Sequence, residues 1–301
     1  MLSDRTAQRM RNLYYLTRLH WFPMGSLAIF WPYGWGVAMA ATKEHAPIHS
    51  ITQNTLLCLA VATLYHSAFC VWNDICDRDL DGKVERTSKR PLVTGAVSVP
   101  EALLLFVILL AITFFTVSFL GHTAFCIMVA SLPINFAYPF AKRITWWAQF
   151  WLGLAASWGC GVGWASITGN LDGVLKAQAF PALCAAVIMF VIYGDTMYAA
   201  QDRSDDEKAG IKSTARLFGA HIHSINAIFG CGFVACLVLA GVLNGNGLPY
   251  FVIGCTGVTA QTLWQIRTWQ PDDLKSCAAM FESWHNVGYI LLLSLILDLW
   301  L

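Results

Sequence analysis

Apolar residues arrive in long, nearly unbroken runs rather than in the alternating or three-and-four spacings of half-buried elements. Nine such runs are drawn at 21–41, 51–73, 101–120, 123–140, 146–167, 177–199, 220–243, 249–266 and 277–301. Most approach the roughly 20 residues that a helix needs to cross a bilayer, and together they leave no space for a separate soluble domain. The pattern predicts an all-α polytopic membrane protein with nine transmembrane helices and one membrane domain covering residues 1–301. Residues 5–18 read as a short basic amphipathic helix on the membrane surface. The weakest boundaries are the turn at 121–122 and the last two runs, where Glu282 and Asp298 interrupt the apolar pattern.

Basic residues orient these helices, because cytoplasmic loops retain Lys and Arg. Seventeen of the 19 fall in the N-terminal segment and after the even-numbered runs, whereas only Lys43 and Lys176 lie on the opposite side. The N-terminus is therefore expected in the cytoplasm. The first twenty residues carry arginines but no apolar core with a small-residue cleavage site, and no long mitochondrial presequence precedes the first run. The expected location is the endoplasmic reticulum or another internal membrane.

Composition supports the membrane reading: 57% of the 301 residues are apolar and 12% charged, against about 25% charged in soluble domains. A formal charge of +1 exerts no bulk attraction on nucleic acid. Ten cysteines are scattered without a CxxC pair or zinc-like spacing, and Cys58, Cys126, Cys184, Cys236 and Cys255 sit within apolar runs as small hydrophobes. Nothing in the sequence calls for a protein partner.

Acidic residues change the picture, because ten of the 18 crowd into two stretches. Asp74, Asp77, Asp79, Asp81 and Glu85 follow the second run, and Asp195, Asp202, Asp205, Asp206 and Glu207 end the sixth. Both follow even-numbered runs, so they share a face and can meet. If helix continues through the first stretch, Asn73, Asp74, Asp77 and Asp81 fall within an arc of about 100° while Asp79 points away. Treated the same way, Asp195, Asp202 and Asp206 fall within about 40°.

Like charges packed this closely at a membrane boundary call for a cation, and oxygen-only ligands suit Mg2+ or Mn2+ rather than zinc. Magnesium commonly binds through one or two carboxylates plus substrate phosphates. Two such clusters suggest a diphosphate clamped between two magnesium sites. Lys83, Arg86, Arg90, Lys142, Arg143 and Lys212 supply positive charge nearby. A polar head held at the mouth with its hydrocarbon tail among helices describes a prenyl diphosphate better than a nucleotide, for which no Walker loop or GxGxxG appears.

These motifs resemble a known family. Asn73-Asp74-xx-Asp77-xxx-Asp81, Glu85-Arg86-Thr87-xx-Arg90-Pro91-Leu92, Tyr138-xxx-Lys142-Arg143 and Asp202-xxx-Asp206 followed by Gly210-Ile211-Lys212-Ser213-Thr214 are similar, in this order, to the UbiA-type membrane prenyltransferases. The resemblance covers nearly the whole chain. It implies an all-α bundle around a central cavity, and transfer of an isoprenoid from its diphosphate to an aromatic ring. It also implies Mg2+ at Asn73, Asp74, Asp77 and Asp81 and at Asp202 and Asp206, with Arg86, Lys142, Arg143 and Lys212 facing the diphosphate and Tyr138 in the same motif as Lys142.

Two departures bear on the acceptor. Members that prenylate 4-hydroxybenzoate for ubiquinone show Arg-Gly-Ala-Gly-Cys ahead of the Asn-Asp pair and Lys-Pro-x-Gly near the first helix. Here the stretches read His66-Ser67-Ala68-Phe69-Cys70 and Trp21-Phe22-Pro23-Met24-Gly25. His66 lies two helical turns deeper than Asn73 on the same face. Two readings stand for it: a satisfied core histidine, or an intramembrane ionisable group with a function. The variant looks similar to fungal meroterpenoid prenyltransferases, which attach farnesyl or similar chains to phenolic acids of polyketide origin.

The expected reaction is Mg2+-assisted loss of diphosphate from an allylic carbon, attack by an electron-rich ring carbon, and removal of the ring proton by a base, for which Asp195 and His66 are the candidates. The glycine-containing loop after the second run is a candidate lid. A terpene cyclase would use the same clusters without an aromatic acceptor. A cation transporter fits less well, since its charged groups would sit near the bilayer midplane. The expected partners are a prenyl diphosphate donor, an aromatic phenolic acid acceptor and the lipid bilayer, with no nucleic acid.

Overall fold

The computed structural model describes residues 4–300, so position 301, the end of the ninth predicted run, lies outside the described residues. The helices in chain order are α1 (Asp4–Leu16), α2 (Met24–Glu44), α3 (Ile48–Asp81), α4 (Val99–Ser118), α5 (His122–Ile144), α6 (Ala148–Thr168), α7 (Leu171–Leu175), α8 (Ala179–Ala199), α9 (Arg203–Ala209), α10 (Thr214–Phe218), α11 (Ile222–Asn244), α12 (Thr256–Thr268) and α13 (Leu274–Asp298). No strand occurs among the described residues. A π-helical turn, Tyr250–Cys255, leads into α12.

Six segments are long and apolar enough to cross a membrane, namely Ile48–Asp81, Val99–Leu120, His122–Ile144, Ala179–Ala209, Thr214–Asn244 and Leu274–Asp298. The other three predicted runs form α2, α6 and the Tyr250–Thr268 stretch, which fall below that measure. α2 and α6 nevertheless hold the centre of the bundle: residues 30–41 and 159–165 are buried without interruption. Small residues allow this. A side chain at Gly36 would overlap the Cys160 carbonyl, and one at Gly163 would overlap that of Tyr33. Close approach of backbones through glycine is a principal way in which helices associate in lipid, where no hydrophobic drive separates helix from solvent.

The 34 residues of α3 rise about 50 Å, well beyond the roughly 30 Å hydrocarbon layer. Its C-terminal turns carry the first acidic motif as continuous helix. The Gly121 turn divides α4 from α5 as expected, with φ of 99° at that glycine. The basic amphipathic helix of residues 5–18 is α1. Its Leu13 and Leu16 join a cluster with Val97, Ala102 and Phe106, while Met10, Tyr14 and Tyr15 stay exposed.

The second acidic stretch differs from expectation. It is not one helix: α8 ends at Ala199, a 3₁₀ turn covers Ala200–Asp202, and α9 starts at Arg203. A 3₁₀ turn advances about 120° per residue. Asp195, Asp202 and Asp206 consequently do not keep the narrow alignment of a continuous helix.

Candidate active site

Both acidic motifs lie at the same end of the bundle, and cations from three separate segments hold them. Asp74 and Asp77 are 1% and 0% exposed and Asp81 is 6% exposed. Arg18, in the left-handed conformation after α1, donates through Nη2 to both carboxylate oxygens of Asp74 at 2.8 and 3.0 Å. Arg90, in the loop after α3, bridges Asp74 and Asp81 at 2.9 and 2.7 Å. Lys142 of α5 pairs with Asp77 Oδ2, while Asp77 Oδ1 is buried without a partner.

Across the mouth, Arg86 makes a forked contact with Asp202, its Nη2 lying 2.6 Å from Oδ2, and its guanidinium lies 5.2 Å from the Tyr198 ring centroid. The backbone N–H of Glu85 donates to Asp205 at 3.3 Å. The loop after α3 thus rests directly on the second motif. Asp206 is 7% exposed, and its carboxylate accepts no hydrogen bond among the described residues. Burial alone would weaken the charge on Arg90 and Arg86, but the neighbouring carboxylates dominate. Asp74 and Asp81 raise the Arg90 pKa, and Asp202 with Tyr198 raises that of Arg86.

Two adjoining cavities occupy this end. A polar one of about 200 Å³ is bounded by Asp81, Arg86, Lys142, Asp202, Asp206 and Lys212. A largely apolar one of about 320 Å³ reaches among the helices past Tyr33, Tyr65, Phe69, Leu152, Phe281 and Trp284. Asn73, Arg90, Tyr138, Asp195 and Tyr198 line both, so one end of a molecule can sit among charges while the rest lies in an apolar environment.

The sequence-predicted residues are brought together, but two of them line neither cavity. Asp77 is fully buried against Lys142 beneath the mouth, and Arg143 pairs with Asp79, whose side chain is 64% exposed, and with the Cys76 carbonyl. Adjacent helical residues point about 100° apart, so Lys142 and Arg143 do not face the same cavity. His66 does line the apolar cavity, with Nε2 3.3 Å from Cys70 Sγ. Lys212 is tied to α5, its backbone N–H donating to the Lys142 carbonyl at 2.9 Å and its Nζ to that of Ile144 at 3.0 Å. Sequence reasoning missed Arg18, which sits 56 positions from its partner, and Tyr198 and Gln149, which carry no motif of their own.

A family model described as the UbiA prenyltransferase family matches residues 29–290. The chain belongs to the UbiA prenyltransferase family. It is 36% identical over 301 residues to the UbiA prenyltransferase claS of Ampulloclitocybe clavipes, covering 98% of this chain and 93% of that protein. It is 37% identical over 269 residues to the mitochondrial 4-hydroxybenzoate polyprenyltransferase of Caenorhabditis elegans, covering 89% and 73%. In three dimensions it is similar to a UbiA homolog from Archaeoglobus fulgidus bound to GPP and Mg2+, with a TM-score of 0.71, 20% identity and coverage of 96% and 100%. This UbiA-family chain is accordingly an enzyme of alkyl-group transfer.

One consequence of the ion-pair geometry is measurable without substrate. Arg90→Met leaves the buried Asp74 and Asp81 short of positive charge and is expected to lower stability by about 3 kcal/mol. Arg143→Met breaks a solvent-accessible pair and a hydrogen bond to the Cys76 carbonyl that water can replace, and should cost less than about 1 kcal/mol. Thermal unfolding of the detergent-purified variants checks this; equal losses would mean that burial at the mouth does not set the energetics.

Proposed function

We propose that this enzyme transfers a prenyl group, farnesyl or one of similar length, from its diphosphate to a phenolic acid in meroterpenoid biosynthesis, with Mg2+ as cofactor. The observation that carries the reading is the junction of a charged cavity with an apolar one across Asn73, Tyr138, Asp195 and Tyr198, which suits an amphiphile with a diphosphate head. Arg18, Arg86, Arg90 and Lys142 are already matched by carboxylates, so a diphosphate entering there adds more negative charge than Lys212 offsets. Divalent ions supply the balance.

The donor set fits magnesium. Asp77 Oδ1 is buried without a partner, the Asp206 carboxylate is free, and the surrounding donors are oxygens. Among the described residues no three His, Cys, Asp or Glu side chains are grouped to hold an ion, so in this reading substrate phosphate shares the coordination with Asn73, Asp74, Asp77 and Asp81 on one side and Asp202 and Asp206 on the other. Bound magnesium supplies charge stabilisation for the departing diphosphate. Arg86, Lys142 and Lys212 hold the diphosphate, Tyr138 and Asn73 line its passage into the chamber, and Phe69, Phe281 and Trp284 exclude water from the allylic cation. Asp74→Ala, Asp77→Ala, Asp202→Ala and Asp206→Ala should each abolish turnover with the protein still inserted, and Asp79→Ala should be mild. Near-normal diphosphate release by two or more of the four would refute the metal assignment.

A second reading, 4-hydroxybenzoate polyprenyl transfer, is favoured by the identity to the Caenorhabditis elegans protein. The two are separated at His66, which lines the apolar cavity beside Arg18 and Asp74. Neutral histidine offers one donor and one acceptor where arginine offers a charged fork. With geranyl, farnesyl and geranylgeranyl diphosphates and mass-spectrometric readout, the wild type should prefer an alkyl-substituted dihydroxybenzoate to 4-hydroxybenzoate. His66→Arg should weaken that preference, and His66→Ala should harm acceptor use more than donor binding. Efficient use of 4-hydroxybenzoate, unchanged by either substitution, returns the chain to the second reading.

The whole chain acts as one unit in this reading, with nine spans, the N-terminus and both acidic motifs in the cytoplasm, and residence in the endoplasmic reticulum or another internal membrane. The distribution of Lys and Arg supports this arrangement. Cysteines introduced at Ser88 and Ser204 should react with impermeant reagent from the cytoplasmic side, and those at Asn170 and Leu248, the latter 77% exposed, from the other. Reaction of the first two from opposite sides excludes the arrangement.

A further inference from the structure

Gln149 is a buried amide in the first turn of α6, 4% exposed, with both ends engaged by other helices. Its Nε2 donates to Asp195 Oδ2 of α8 at 3.1 Å, and its Oε1 accepts the backbone N–H of Thr214, the first residue of α10, at 3.0 Å. A backbone N–H only donates, so Oε1 must face Thr214 and the NH2 group must face Asp195; the network itself sets the amide orientation. A second tie reinforces the arrangement, because the hydroxyls of Thr196, next to Asp195, and Thr214 lie 2.6 Å apart. Asp195 lines both cavities, and its Oδ1 accepts no hydrogen bond among the described residues.

We propose that Gln149 is a positioning residue for prenyl transfer: it holds one oxygen of Asp195 so that the other faces the junction of the cavities and takes the acceptor's proton. The inference rests on the aromatic prenyl-transfer reading. In the step concerned, the bond from the allylic carbon to the diphosphate oxygen breaks with its electron pair leaving on diphosphate. A ring carbon of the phenolic acid forms the new carbon–carbon bond. The proton on that ring carbon passes to Asp195 Oδ1, giving a neutral carboxyl group and restoring the aromatic ring. A carboxylate free to rotate would often present neither oxygen to the ring, and loss of geometry of this kind is costly in rate. The same amide anchors the segment that carries Lys212, two residues before Thr214, so the proton acceptor and a diphosphate-facing cation are registered to one side chain.

Two near-isosteric substitutions separate the two ends of Gln149. Gln149→Glu keeps an acceptor for Thr214 but replaces the donor to Asp195 with a like charge. Gln149→Met keeps the length and removes both hydrogen bonds. Each is compared with wild type, Asp195→Asn and the corresponding double variant in membranes. The assay uses farnesyl diphosphate and whichever acid, 4-hydroxybenzoate or the substituted dihydroxybenzoate, the wild type turns over faster, with variant abundance determined by quantitative immunoblot. Gln149→Glu should lower kcat for prenylated product roughly tenfold or more, with KM for farnesyl diphosphate within about threefold of wild type. Gln149→Met should lower kcat comparably and also raise that KM. Neither should add to the kcat loss in Asp195→Asn, because both lower kcat through the same carboxylate, whereas the KM rise of Gln149→Met should persist in the double variant. Wild-type-like kcat in both variants, or losses that multiply with that of Asp195→Asn, overturns the inference while leaving the function reading intact. A wild type that releases diphosphate but prenylates neither acid overturns the function reading and the inference with it.

Discussion

Carboxylates buried where apolar helices meet water must be matched by positive charge, and this requirement organises the functional end of the protein. α3 carries Asp74, Asp77 and Asp81 almost out of contact with solvent. A buried charge left unpaired costs several kcal/mol. The cations that meet this demand come from the segment after α1, from the loop after α3 and from α5. Each pair therefore fixes a segment as well as a charge. The loop after α3 is held at both ends in this way, to α3 through Arg90 and to the second motif through Arg86.

The same constraint separates a polar cavity from an apolar one without a wall between them. Ion pairs gather at the end of the bundle, while the aromatic side chains Phe190, Trp284 and Phe281 stack successively on one side, with ring centroids 4.3 and 5.7 Å apart. Glycines in α2 and α6 let the central helices touch, so that the space for a ligand is left beside them rather than spread through loosely packed helices. In the proposed function an amphiphilic substrate would meet charge first and hydrocarbon beyond it, which is the order that release of diphosphate into water and protection of a cation from water both require.

Paired charges also explain why the acidic motifs are only part of the site. Arg18 and Arg90 satisfy Asp74 more fully than any neighbour on α3 does, and Tyr198, which lines both cavities, and Gln149, which lines the polar one, belong to no run of acids or bases. Such residues act through where the fold places them. Their identities alone, a glutamine at the start of one helix and a tyrosine near the end of another, are commonplace in sequence.

Hydropathy, the skew of Lys and Arg, and helical spacing are local or additive properties, and the sequence by itself determined their direct consequences: a helical membrane protein, two acidic motifs at the same end, Asp79 turned away from Asp74 and Asp77, and His66 on the face of Asn73. Motif order also sufficed for the family. Tertiary structure decided the features that depend on contacts between distant segments: the Arg18–Asp74 pair across 56 positions, the outward turn of Arg143, and the Gln149 bridge between α8 and α10. It also decided the break in the second motif, where a 3₁₀ turn at Ala200–Asp202 replaces the continuous helix that periodicity assumes. A period reports which face a residue shares with its neighbours along one helix; which side chain from another helix meets that face is set by packing and charge compensation over the whole fold.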